Sequence, residues 1–148
     1  PKKGVIPQGY YEYTVFPLEG VWGIADQGKN LGYLDKNLFM YTIMIRQPDF
    51  VTEDIAQAAI ASVAKKKDCL LLGKVRFETA EEGMCVQMMH LGSYDSEAVS
   101  FKKIKEFCDM NGLERTSRTH REIYISDPRK TAPEKCKTVL RVKVQELR

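Results

Sequence analysis

Residues 119–126 read THREIYIS, a run that alternates without a break. Side chains of a β-strand point to opposite faces in turn. Arg121, Ile123 and Ile125 therefore share one face, and His120, Glu122, Tyr124 and Ser126 share the other. No other segment restricts the fold as firmly, and this one places the carboxylate of Glu122 in mid-strand between a histidine and a tyrosine. Two readings of that carboxylate stand at this point. Among aromatic walls it can hold a ligand cation in low dielectric, or its pKa can rise by desolvation so that it serves as a general base. On a wet edge strand it would pair with Arg121 or Arg141 in solvent, as most glutamates are exposed.

Further strands are predicted at residues 10–16 (YYEYTVF), 38–47 (LFMYTIMIRQ), 75–79, 84–91 and 138–145, all rich in aromatic or β-branched residues. Pro17 and Pro48 end the first two. Residues 17–23 carry one Pro and two Gly and read as a loop, as do the polar residues 25–36. A helix is predicted from Thr52 to about Lys67, with Glu53 and Asp54 at its positive end and Ile55, Ala59, Ile60 and Val63 as its buried stripe. A second helix starts within residues 93–96 and runs to about Asn111. Val99, Ile104, Phe107 and Cys108 make its apolar face, and Gly112 suits its C-terminal stop. Thr131 and Glu134 have the spacing of a capping box around Pro133, which predicts a short helical turn. The second half thus runs strand, helix, strand, turn, strand, and the first half runs strand, turn, strand, helix, an architectural repeat without visible residue identity.

A chain of 148 residues, 43% hydrophobic, fits one domain spanning residues 1–148 with a single core. No apolar run approaches the roughly 20 residues of a membrane-spanning helix, and no basic-then-apolar segment opens the chain, so no membrane partner is expected. Basic and acidic residues number 23 and 20 and are interspersed. The one compact basic run, Lys65 to Lys67, lies at a helix end that the dipole favours, so no direct contact with nucleic acid is expected. Cys69, Cys85, Cys108 and Cys136 are far apart in sequence and lack zinc spacing. Cys85 and Cys108 read as small buried hydrophobes, and a reduced, cytoplasmic protein is the simplest account. With only His90 and His120 besides, no metal and no organic cofactor are expected.

The block HREIYISDPRKTAPEKCKTVLRVKV at residues 120–144 resembles the C-terminal part of GyrI-like small-molecule-binding proteins. The segments PLEGVW (residues 17–22), MIRQPDF (44–50) and MMHLGSYDSE (88–97) resemble the same stand-alone bacterial subgroup, in the same order. The superfamily includes the effector-binding domains of multidrug-sensing regulators, but no helix-turn-helix is present here. The resemblance implies an α+β fold: two strand–helix–strand–strand modules forming a curved antiparallel sheet, with helices on one face and a ligand cleft on the open face. Residues 1–51 are expected to be the remainder of a first module whose opening strand and helix are either absent or lie upstream of Pro1. Residues 52–74 would connect it to a second module at residues 75–148.

The resemblance implies a small, hydrophobic, aromatic or cationic ligand, and it turns the reading of Glu122 toward the ligand, since Glu122 falls on the family's ligand-facing glutamate. Trp22 offers a flat stacking face, worth roughly 0.5–1.5 kcal/mol beyond area burial. By itself it also reads as a lid on the core, and the PLEGVW match favours a cleft wall. Glu19 is a second acidic candidate, or else a solvated turn residue. Tyr11 and Tyr13 share a face of their predicted strand and read equally as cleft lining or strand filler. Met44 suits an adaptable wall. His90 is a candidate acid–base partner, although a lone histidine near an apolar strand is more often structural. Tyr94, at the start of the second helix, reaches from the rim, and His120 and Tyr124 flank Glu122.

Three functions follow as expectations from the resemblance. The first is capture of planar aromatic or cationic compounds, as in drug-binding and toxin-resistance proteins. The second is hydrolysis that opens the cyclopropane ring of DNA-alkylating natural products, with Glu122 as general base and a tyrosine hydroxyl stabilising the growing charge. The third is a protein-interaction role such as gyrase protection. An unpaired sheet edge near residues 10–16 would favour association, including a homodimer.

Overall fold

The computed structural model describes residues 6–24 and 39–147. The chain divides into two compact units. One comprises Pro1–Val15 and Gln47–Glu81, and contains helix α1 (Glu53–Ala64). The helix is rich in alanine, the best helix former, and so forms without deep burial. None of its residues is fully buried: Ile55 and Ile60 are half-covered, and Ala59 and Val63 of the predicted stripe are exposed.

The other unit comprises Phe16–Arg46 and Glu82–Arg148. It holds strands β1 (Leu18–Ile24), β2 (Phe39–Ile45), β3 (Cys85–Leu91), β4 (Leu113–Arg115), β5 (His120–Tyr124) and β6 (Lys137–Glu146), with helix α2 (Glu97–Met110) after β3. The sheet is open, wholly antiparallel and ordered β2-β1-β5-β6-β3, and β4 pairs with the far end of β6. The class is α+β, as expected.

Register decides which side chains meet. Gly20 lies opposite Glu122, and Trp22 lies opposite His120. Glu122 in turn lies opposite Leu140, and Tyr124 lies opposite Thr138. Paired residues point to the same side, so Trp22, His120, Glu122 and Tyr124 share a face with the alternating buried residues of β6. Helix α2 covers part of that face, where Ile104 and Cys108 pack on Leu140, Val142 and Val144. Full burial of Leu140 stabilises the fold by roughly 1.5–3 kcal/mol relative to exposure.

Several elements differ from expectation. Residues 10–16 form no strand, whereas the predicted loop at residues 17–23 is most of β1. Hydrogen-bonded neighbours on both sides of β1 outweigh the local cost of its glycines. Gly20 is there for close approach rather than for a turn. A Cβ at that position would stand 2.7 Å from Trp22 Nε1 and 2.9 Å from the Tyr124 hydroxyl. Residues 75–79 form no strand, and the short β4 has no counterpart in the sequence reading. In α2, Val99 and Phe107 are exposed. The buried stripe is instead Glu97, Ser100, Ile104 and Cys108, a helical phase that begins with two polar residues. Cys108 is buried but Cys85 only half so. The turn at Pro133–Lys135 forms without a side-chain cap, so the predicted capping box is not made. Gly112 stops α2 at φ +64°, as its position suggested. The loop expected at residues 25–36 lies outside the described residues.

Candidate functional site

Strand β5 aims His120, Glu122 and Tyr124 at the side where α2 begins. Glu122 is buried, at 7% exposure, and both of its oxygens are engaged. His120 Nε2 lies 2.8 Å from Oε1, and the Tyr124 hydroxyl donates to Oε2 at 2.9 Å. Trp22 Nε1 donates to the Tyr124 oxygen at 2.7 Å. An indole, a phenol, a carboxylate and an imidazole thus form one connected chain, and the missing side chain at Gly20 lets the indole and the phenol meet over the backbone. Arginine pairing of Glu122, the solvent reading, is not what the fold adopts.

Rings surround this chain. Tyr41 lies against Trp22 at 4.8 Å between centroids, and Phe39 meets it edge-on at 6.2 Å. Tyr94 meets Tyr124 edge-on at 6.0 Å, and Phe101 of α2 meets His120 at 4.7 Å. All of these rings except that of Tyr41 border a cleft of about 1100 Å³ between β1, β5 and the first turns of α2. Arg115, Arg118, Asp127 and Arg129 also line it. That volume accommodates a drug-sized molecule, and ring-lined concavities with a few convergent polar groups are what such molecules occupy.

Glu97, the first residue of α2, completes the polar wall. It is 9% exposed, it feels the charge of Glu122, and its Oε1 has no partner among the described residues. Burial first and then the charge of Glu122 push its carboxyl up to about 8. At neutral pH the two carboxyls together therefore hold one proton and one negative charge. Burial, together with the charge of Glu122, also pushes the Tyr124 hydroxyl up, which keeps it a phenol that donates. Tyr94 is raised by burial first and then by Cys136 and Glu122.

The structure gathers five of the residues singled out in the sequence: Trp22, Tyr94, His120, Glu122 and Tyr124. Others lie elsewhere. Glu19 and Met44 sit on the opposite face of the sheet, where Arg121 donates to Glu19 at 2.6 Å and to Met44 Sδ at 3.2 Å. Glu82 continues that network, accepting from Arg121 at 2.9 Å and Arg141 at 2.6 Å. Burial pulls the Glu82 carboxyl upward, but the hydrogen bonds and charges of Arg141 and Arg121 together hold it below its ordinary value. Alternation accounts for the split, since Glu19 and Trp22 stand an odd number of residues apart on β1. His90 is buried at 3%, with Nδ1 2.9 Å from Ser100 Oγ and Nε2 2.9 Å from the Ser93 carbonyl. It ties the end of β3 to the turn that starts α2. Tyr11 and Tyr13 belong to the other unit, where both are exposed and meet Phe50 edge-on at 5.2 and 5.8 Å.

The cleft also departs from expectation in its placement. It lies on the face that carries α2, alongside the helix, not on the open face, because the odd-numbered side of β5 is occupied by the Arg121 ion pairs. Glu97, Phe101 and Phe39 are the residues that sequence reasoning passed over. The signal for Glu97 was its spacing: it stands seven residues before Ile104 and eleven before Cys108, in phase with the buried stripe.

Residues 8–145 match the GyrI-like small-molecule-binding domain along almost the whole chain. The chain belongs to the GyrI-like family. Two crystal structures of hydrolases from Listeria innocua resemble this GyrI-like domain with TM-scores of 0.82 and 0.83 and identities of 36% and 37%. In each case the match covers 97% of this chain and 70% of the other. A third structure, an uncharacterized conserved protein from the same organism, matches at TM-score 0.83 and 39% identity over 93% of this chain and 67% of its own. No curated protein matches it. Among the described residues no helix is long and apolar enough to cross a membrane.

Proposed function

We propose that this GyrI-like domain captures planar aromatic molecules, neutral or cationic, between the rings of Trp22 and Tyr94 and against the carboxylate of Glu122. The observation that carries the reading is a buried carboxylate, held by His120 and Tyr124, on the wall of a ring-lined cleft. Stacking supplies affinity for the flat surface, and the one negative charge of the carboxyl pair favours a cation over an anion. Titration with N-methylacridinium and with 9-hydroxymethylanthracene, followed by Trp22 fluorescence and by the thermal midpoint, tests it. Binding of either at micromolar concentration supports the reading, and failure of both to bind refutes it. Four free thiols fit a reducing cytoplasm as the place of action.

A second reading, hydrolysis, is favoured by the two related structures named as hydrolases and by the base-like setting of Glu122. For a cyclopropane fused to a dienone, Glu122 accepts a proton from water as the water oxygen bonds to a ring carbon. The strained carbon–carbon bond breaks, its electron pair moves through the dienone to the oxygen, and a phenol forms after proton uptake. A tyrosine hydroxyl at the cleft steadies that growing charge. Glu122→Gln is expected to lower turnover by about 10²-fold or more while neutral rings still bind. Mass spectrometry of the hydrated product is the assay, and undiminished turnover by the glutamine variant rejects Glu122 as the base.

A further inference from the structure

The Glu97–Glu122 pair carries more than a fixed charge. The two carboxyls come from distant parts of the chain, the first turn of α2 and the middle of β5, and meet in the cleft wall. Both are buried and line the same cleft, and the charge of Glu122 favours a proton on its neighbour. Glu97 is about nine-tenths buried and lines the cleft, yet its Oε1 has no hydrogen-bond partner among the described residues. An unmet acceptor of that kind costs free energy unless an incoming group satisfies it. Position N1 of a helix ordinarily favours an ionised carboxylate, so the wall is built to release the proton once its negative neighbour is compensated.

We propose that Glu97 and Glu122 form a proton-exchange site: a cationic planar ligand displaces the shared proton to solvent and takes its place, whereas a neutral ring binds with the proton retained. This rests on the capture reading above. The balance is simple. The free pair carries one proton and one negative charge; the complex carries the ligand's positive charge, two carboxylates and no shared proton. No bond of the ligand changes.

The other charges around the pair set the direction. From β5, His120 and Tyr124 bond to Glu122 itself. From the turn before α2, Tyr94 and Asp95 border the cleft, and Arg115 and Arg118 face it from the segment leading into β5. Asp127 and Arg129, which pair with each other beyond β5, cancel locally. His120 touches the same carboxylate, so a variant at His120 is the control.

Two probes of similar size and shape separate the cases: permanently charged N-methylacridinium and neutral 9-hydroxymethylanthracene. Neither titrates between pH 6 and 8. Affinity is measured across that range, and calorimetry in buffers of different ionisation enthalpy counts the protons. The cation is expected to bind up to about tenfold more tightly per pH unit, releasing close to one proton, while the neutral probe shows a flat profile and none. In Glu97→Gln the cation still binds, but the slope and the release vanish. In His120→Gln both persist.

Equal pH slopes for the two probes overturn the inference while leaving capture intact. Proton release that survives in Glu97→Gln and disappears in His120→Gln also overturns it, assigning the proton to the histidine. If neither probe binds, capture fails and the inference fails with it.

Discussion

Replacing Glu97 by glutamine keeps the shape of the side chain and removes one proton equilibrium. In the unfolded chain this carboxyl has its ordinary value of 4.5, and in the cleft wall burial and Glu122 push it up to about 8. A raised carboxyl binds its proton more tightly in the folded state. Its favourable contribution is therefore complete below pH 4.5 and is lost as the pH climbs toward 8. Between pH 4.5 and pH 7 that loss amounts to about 3.4 kcal/mol, at about 1.36 kcal/mol per pH unit. Water in the open cleft screens the pair, so roughly half of it, about 1.5–2 kcal/mol, is the expected effect. Glutamine escapes the loss. Glu97→Gln is expected to match the parent at pH 4.5 and to exceed it by about 1.5–2 kcal/mol at pH 7, with the gap levelling off above pH 8. Urea unfolding at half-unit pH steps, followed by the single tryptophan, measures the gap directly. A gap that stays constant over this range, or a variant that loses stability as pH rises as steeply as the parent does, refutes the proton-sharing argument.

Other substitutions probe the scaffold. Gly20→Ala inserts a methyl 2.7 Å from Trp22 Nε1 and 2.9 Å from the Tyr124 hydroxyl. It is expected to cost about 1–3 kcal/mol in denaturation and to shift Trp22 emission as the indole–phenol bond gives way. Glu82→Gln removes the charge and one of the two acceptor oxygens that serve Arg121 and Arg141, and is expected to cost about 1–3 kcal/mol at pH 7. Because the Glu82 carboxyl is lowered on folding, that contribution is present above pH 4.5 and fades as the pH falls further, so the variant and the parent converge in acid-unfolding measurements. Neutral-ring binding retained in Glu122→Gln, with its turnover lost, completes the set.

Much of the second half was legible before any coordinates. The alternation in β5 placed His120, Glu122 and Tyr124 together, and Gly112, the C-terminal strand and both helices fell close to their predicted positions. The first half was read poorly for a specific reason. Aromatic content marked residues 10–16 as strand, and glycines marked residues 17–23 as loop, but the strand goes to the segment that finds partners on both edges. Likewise, counting apolar residues in α2 pointed to Val99 and Phe107, whereas the rotation of the helix on the sheet buries Glu97 and Ser100.

The division has a physical cause. Alternation and helical period belong to one stretch of chain, so the amino-acid order alone put His120, Glu122 and Tyr124 on one face. The meeting of Trp22 with Tyr124, 102 residues apart, and of Glu97 with Glu122 depends on strand register and on how α2 is rotated against the sheet. A slip of one residue in β1 would turn the indole to the Arg121 face and move Glu19 toward the cleft. Such a choice is made by packing among distant segments, and only the folded arrangement records it.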